Sequence, residues 1–240
     1  MSRGARPRAD GHRVRTPLGA ATIARQARVC YGLDVAGATG LRLAAALVVS
    51  VAVAGPDSSS SSARPARISC DLGAGASVNV SALPGVVVQQ ADIPRGWRFE
   101  RMRTLPKGTS ADGPSSHRIG GAVAFARRPS APDLALTSTA ELEPRASVAC
   151  RTFHNWIRTL LTAGVGARSR PLPVRLGREH ALLESNEPAF GPMVSISWYR
   201  GPVYAVIQVQ YRTRNASAEA HRVALHFATA SDRRIRPILR

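Results

Sequence analysis

The sequence predicts an α+β domain: an antiparallel sheet with two helices packed on one face, stapled by one disulfide. Three observations carry this. Strand candidates lead into a helix twice along the chain, which is the order of a covered antiparallel sheet. Several of those strands alternate apolar with polar residues, the period of a half-buried strand. Finally, two cysteines, Cys70 and Cys150, follow an export-like segment that would place them in an oxidising compartment.

Residues 1–54 read as a basic leader plus a signal peptide or short anchor. Leu43 to Ala54 is an uncharged apolar run behind Arg42, and it ends in Ala52-Val53-Ala54, a small-x-small cleavage pattern. A permanent span needs about 20 apolar residues, so cleavage is the favoured outcome. Residues 55–67, with Ser58 to Ser62 at their centre, read as a Ser/Pro-rich linker. Residues 68–240 are then a single exported domain. Cys30 precedes the signal, leaving Cys70 and Cys150 as an even pair.

Within that domain Val86 to Gln90 is the first strand candidate, closed by Asp92-Ile93-Pro94. Trp97 to Met102 alternates large apolar with charged residues and is the second. Residues 105–117 form a polar loop, followed by strands at Gly121 to Arg127 and Leu134 to Leu142. The clearest helix runs from Arg145 to Thr162. Ala149, Phe153, Trp156, Ile157, Leu160 and Leu161 lie on one stripe there, and Gly164 and Gly166 end it. A short strand is expected at 180–185. Met193 to Trp198 and Val203 to Tyr211 make the strongest hairpin, turning at Tyr199-Arg200-Gly201-Pro202. The last helix begins near Asn215 or Ser217, either able to cap it. It buries Ala220, Val223, Ala224, Phe227 and Ala228, and Arg233 to Pro237 stop it.

The formal net charge is +18, and lysine occurs once, at Lys107. Residues 55–240 keep 25 basic against 13 acidic side chains, or +12. Such a surplus attracts anionic partners at long range. An envelope ligand, an anionic polymer or a protein is the expected partner. Nucleic acid is not, and the membrane is met only through an uncleaved N-terminal segment. Trp97-Arg98-Phe99-Glu100-Arg101 and Trp198-Tyr199-Arg200 interleave aromatics with arginine, yet alternation accounts for them with the rings in the core.

Chemistry-bearing patterns are sparse. No nucleophile elbow, His-Glu-x-x-His, phosphate loop or dinucleotide fingerprint is present, so no catalytic residue, cofactor or metal is assigned. Cys150 and His154 stand four apart on a helix, a spacing suited to a metal or a thiol–imidazole pair, but no third ligand accompanies them at ligand spacing. His117, His180, His221 and His226 are read as surface or capping residues. Glu184 and Glu187 fall three apart in a turn, too loosely fixed for an acid–base pair. Asn79-Val80-Ser81 and Asn215-Ala216-Ser217 match the glycosylation triplet.

Leu176-Gly177-Arg178-Glu179, Ser197-Trp198-Tyr199-Arg200-Gly201, and Ala218 to Phe227 with Ser231-Asp232-Arg233-Arg234-Ile235 follow one another in a recurrent layout. It resembles that of secreted or lipid-anchored actinobacterial domains, including the extracellular sensor domains of some mycobacterial receptor kinases. The resemblance covers the last third of the chain and, in outline, residues 84–165. It implies a sensor-like envelope module with a binding role; without a lipobox at the signal or a kinase domain, neither anchoring nor signalling carries over, and the sparse chemistry makes a non-catalytic module the expectation. The competing expectations are an exported hydrolase with a dispersed active site and a basic nucleic-acid-binding protein.

Overall fold

The computed structural model describes residues 69–72, 77–111, 113–130, 133–162, 166–187 and 191–239. The expected leader (1–54), the linker (55–67), Cys30 and Gly164 lie outside the described residues. Seven antiparallel strands make one sheet: β1 (Arg98–Leu105), β4 (Gly120–Arg128), β5 (Leu134–Leu142), β9 (Val203–Tyr211), β8 (Gly191–Arg200), β7 (Glu179–Glu187) and β6 (Arg168–Arg170), in that spatial order. A two-residue pair, β2 (Thr109–Ser110) with β3 (Gly113–Pro114), stands apart in the loop after β1. The helices are α1 (Ala146–Thr162) and α2 (Ser217–Ile238). The predicted α+β class, antiparallel sheet and cysteine pair are all present, with the Cys70 and Cys150 sulfurs 2.04 Å apart.

The helices differ from expectation in lying on opposite faces of the sheet. The reason is in the central strands. β8 and β9 send Val194, Ile196, Trp198, Ala205, Ile207 and Val209 to one face, where Ala220, Ala224, Phe227, Ala228 and Ile235 of α2 cover them. The intervening Tyr199, Tyr204 and Val206 point the other way and are covered by Ala149, Cys150 and Phe153 of α1. A strand apolar on both sides must be roofed on both sides. Each large side chain so buried contributes about 1.5–3 kcal/mol.

Val86 to Val88 are buried as expected but pair with no strand. They follow a 3₁₀ helix at Val80–Gly85 and cover the α2 side of β4 and β5. Side chains replace the ladder. Val88 N–H donates to Ser138 Oγ at 3.1 Å, and Gln89 Nε2 donates to the Val87 carbonyl at 2.6 Å.

α2 also departs from expectation at both ends. Its N-cap is Ala216, without a side-chain hydrogen bond, after a 3₁₀ turn at Arg214–Ala216. It runs on through Arg233 and Pro237 to Ile238 because the arginines find partners: Arg234 bonds Asp92, 2.7 Å from Nη1 to Oδ2, and Arg236 reaches Asp232 at 3.3 Å. The far end of α1 overhangs the sheet, leaving Leu161 exposed rather than on the buried stripe. No helix among the described residues is long and apolar enough to cross a membrane.

Candidate functional site

The face under α1 is unusual in being both buried and polar. Cross-strand pairing sets its side chains in rows. Thr137 of β5 lies opposite Gln208 of β9, which lies opposite Ser195 of β8. The next row is Thr139, Val206 and Ser197, and the third is Glu141, Tyr204 and Tyr199. Thr137, Glu141, Ser195 and Ser197 are each at most 3% exposed, where an ordinary sheet core would carry aliphatic residues. The hydroxyls of Ser195 and Ser197 meet no hydrogen-bond partner.

Between the α1 overhang and the loop after β1, this face opens into a trough. Thr139, Glu141, Tyr204, Val206 and Gln208 floor it, and Ala111 and Trp156 wall it. Its cavity volume is about 20 Å³, room for one or two waters.

One end of the trough is closed by ions. Arg118, 9% exposed, is in contact with Glu141, and its Nε lies 3.2 Å from Glu143 Oε1. Glu141 Oε1 also accepts from Ala111 N–H at 2.8 Å, while Glu143 Oε1 accepts from Thr152 Oγ1 of α1 at 3.0 Å. The guanidinium sits 5.9 Å from the Tyr204 ring centroid. Arg118 therefore ties loop, sheet and helix together at the rim. Two carboxylates against one guanidinium leave the cluster with a formal charge of −1, and Glu143 Oε2 has no hydrogen-bond partner.

No family model and no curated protein matches the chain. The fold is similar to the solved extracellular domain of PknH from Mycobacterium tuberculosis. The TM-score is 0.41 with 6% identity, covering 63% of this chain and 97% of that one.

A second cluster lies on the same face where the third row reaches β7. Glu179 pairs with Tyr199 across the strands, and the Tyr199 phenol donates to Glu179 Oε1 at 2.5 Å. Burial first, then that hydrogen bond, pushes the phenol well above its usual pKa of 10.0, so it stays a proton donor. Glu179 Oε2 lies 3.1 Å from His154 Nε2, a contact without hydrogen-bond alignment. His154 in turn stands beside the Cys70–Cys150 bridge.

The other sequence-nominated residues are scattered. His180 Nδ1 lies 3.1 Å from the Leu176 carbonyl, and His221 Nδ1 lies 2.8 Å from that of Ser217. His226 packs edge-on against Phe227, and His117 is exposed. Glu184 joins Arg170 at 2.9 Å and His221 at 2.9 Å, and it lies with Glu187 on strand β7 rather than in the expected turn. Trp97 meets Phe227 edge-on, and Trp198 is buried, so these rings serve the core. Sequence reading missed Arg118, Glu141, Glu143, Thr139 and Gln208. The available signal was the alternation of Leu134-Ala-Leu-Thr-Ser-Thr-Ala-Glu141, whose odd positions turn polar along β5.

Proposed function

We propose that residues 68–240 act as an exported, non-catalytic binding module of the cell envelope, inserting an uncharged, hydroxyl-bearing edge of an anionic glycan into the trough on the α1 face, with its carboxylates held away from the Glu141–Glu143 end. One observation carries this reading: a buried sheet face laid out in polar rows and opening beside an aromatic wall. Thr139 and Gln208 offer hydroxyl and amide partners for a polyol, and Trp156 offers a flat apolar surface beside them. The volume suits a hydroxyl or hydroxymethyl group inserted from a larger chain that rests on the rim. The +12 charge of residues 55–240 adds long-range attraction for an acidic polymer. Export and cleavage near Ala54 complete the proposal.

The test is titration with glucose, N-acetylglucosamine and uronic acid oligosaccharides, followed by amide chemical shifts. Shifts confined to β5, β9 and α1 are expected with the uronate series. They should weaken with salt and fall at least tenfold in affinity in Trp156→Ala. A flat response to all three series, or shifts elsewhere in the domain, would overturn the reading. Intact mass of the protein recovered from culture fluid tests export, with Gly55 the expected first residue.

A further inference from the structure

We propose that the thiol form of this domain holds one divalent ion of the zinc class at Cys70, Cys150 and His154, with the disulfide and the ion as alternative occupants of one place. Donor atoms from these three residues all lie within 4.8 Å of one another. Helix α1 sets Cys150 and His154 one turn apart on the same side. The third ligand comes from far away in sequence, on the short segment 69–72, and is therefore invisible to ligand spacing along the chain.

Two further features suit a metal once the bridge is reduced. Three protein donors of the thiolate and imidazole type leave a fourth tetrahedral position for water, a recognised zinc set. Glu179 stands 3.1 Å from His154 Nε2 and is itself fixed by the Tyr199 phenol at 2.5 Å. A carboxylate beside a ligating histidine orients the ring and raises its basicity. Once the ring turns to align on the ion, Glu179 can accept the N–H of its other nitrogen and so act as a positioning residue through His154. Zinc–thiolate bonds of about 2.3 Å place two sulfurs ~3.8 Å apart. The Cα atoms of Cys70 and Cys150, 5.8 Å apart, accommodate that opening by side-chain rotation.

The interconversion balances. A dithiol reductant gives two electrons and two protons to the S–S bond, becoming a disulfide itself and leaving two thiols on the protein. Zinc then binds both sulfurs as thiolates and releases those two protons, while His154 binds as the neutral imidazole. A disulfide-class oxidant reverses the sequence: it takes the two electrons, becomes two thiols with two protons from solvent, and the ion leaves as the S–S bond re-forms.

The inference rests on neither the trough nor the export reading. Its test uses the full chain carrying Cys30→Ser, reduced by a phosphine under argon and titrated with cobalt(II), then zinc. One equivalent should bind, with a thiolate-to-cobalt charge-transfer band that zinc abolishes and that the oxidised protein never shows. His154→Ala and Cys70→Ser should each weaken binding at least tenfold, and Glu179→Gln by about 10–100-fold. Absence of a saturable band in reduced, folded protein would overturn the proposal, as would equally tight binding by His154→Ala. If circular dichroism shows the reduced chain unfolded, zinc restoring the folded spectrum supports the site. Zinc leaving it unfolded overturns it.

Discussion

Arg200 and Asp232 meet fork to fork, with Nε 3.0 Å from Oδ1 and Nη2 2.8 Å from Oδ2. Asp232 is 1% exposed and also accepts from Gly177 N–H at 3.1 Å. One carboxylate in α2 thus holds the end of β8 and the turn that enters β7. Removing it leaves a guanidinium and an amide facing a buried void. Asp232→Ala is expected to cost about 3–5 kcal/mol by denaturant unfolding, and Asp232→Asn distinctly less. A loss under about 1 kcal/mol for the alanine variant would mean that solvent replaces the pair.

The same junction constrains Gly177. Its φ is +53°, and a Cβ there would lie 2.2 Å from the Tyr199 carbonyl oxygen, which already accepts from Arg178 N–H at 2.8 Å. Gly177→Ala should therefore destabilise by more than the 1–2 kcal/mol of a left-handed residue alone. Gly166, also at positive φ but with open space around it, is the control. Equal melting temperatures for the two alanine variants would refute the steric account.

Arg118 contacts both Glu141 and Glu143. Arg118→Met leaves two buried carboxylates side by side, at an expected cost of about 3–5 kcal/mol. Because Glu141 also holds Ala111 N–H, amide exchange in the loop after β1 should accelerate more than in α2. Uniform acceleration across the domain would show that the cluster does not act locally.

Acid should act through Asp92 and Asp133. Burial pushes the Asp92 carboxyl up, but hydrogen bonds from Arg234 and Gln89 N–H outweigh it, leaving the pKa below 3.8. The Arg127 hydrogen bond lowers that of Asp133, with Arg212 adding to it. A folded-state pKa below the unfolded one contributes stability that is fully present above the unfolded value, near 4. That contribution is lost as pH falls through the folded value. Melting temperature should accordingly drop below pH 4, and the acid limb should be shallower in Asp92→Asn with Asp133→Asn. An unchanged limb would assign acid sensitivity to other groups.

The sequence carried the parts that depend on local period. The β8–β9 hairpin turns where Gly201 provides a φ of +55°, and α1 begins within one residue of its expected start. What was hidden depends on which groups meet in space. Leu176-Gly177, Arg200-Gly201 and Asp232 are three separate segments in one dimension and a single junction in three. Val86 to Val88 show the reverse failure: an apolar run of strand composition is buried equally well as an unpaired cover when side chains satisfy its backbone. The polar trough could not be seen because Glu141, Arg118 and Tyr204 come from three segments whose charges look solvated when taken singly.

The two outermost strands, β1 and β6, present Arg98, Arg101, Arg103, Arg168 and Arg170 to solvent. An outermost strand without a partner among the described residues invites a neighbour to add its own edge. A second copy arriving at β1 would bring Arg98, Arg101 and Arg103 against like charges, which disfavours that pairing. That safeguard is ionic and weakens as salt rises. Keeping this edge unpaired is thus a matter of the surrounding electrolyte as well as of the fold.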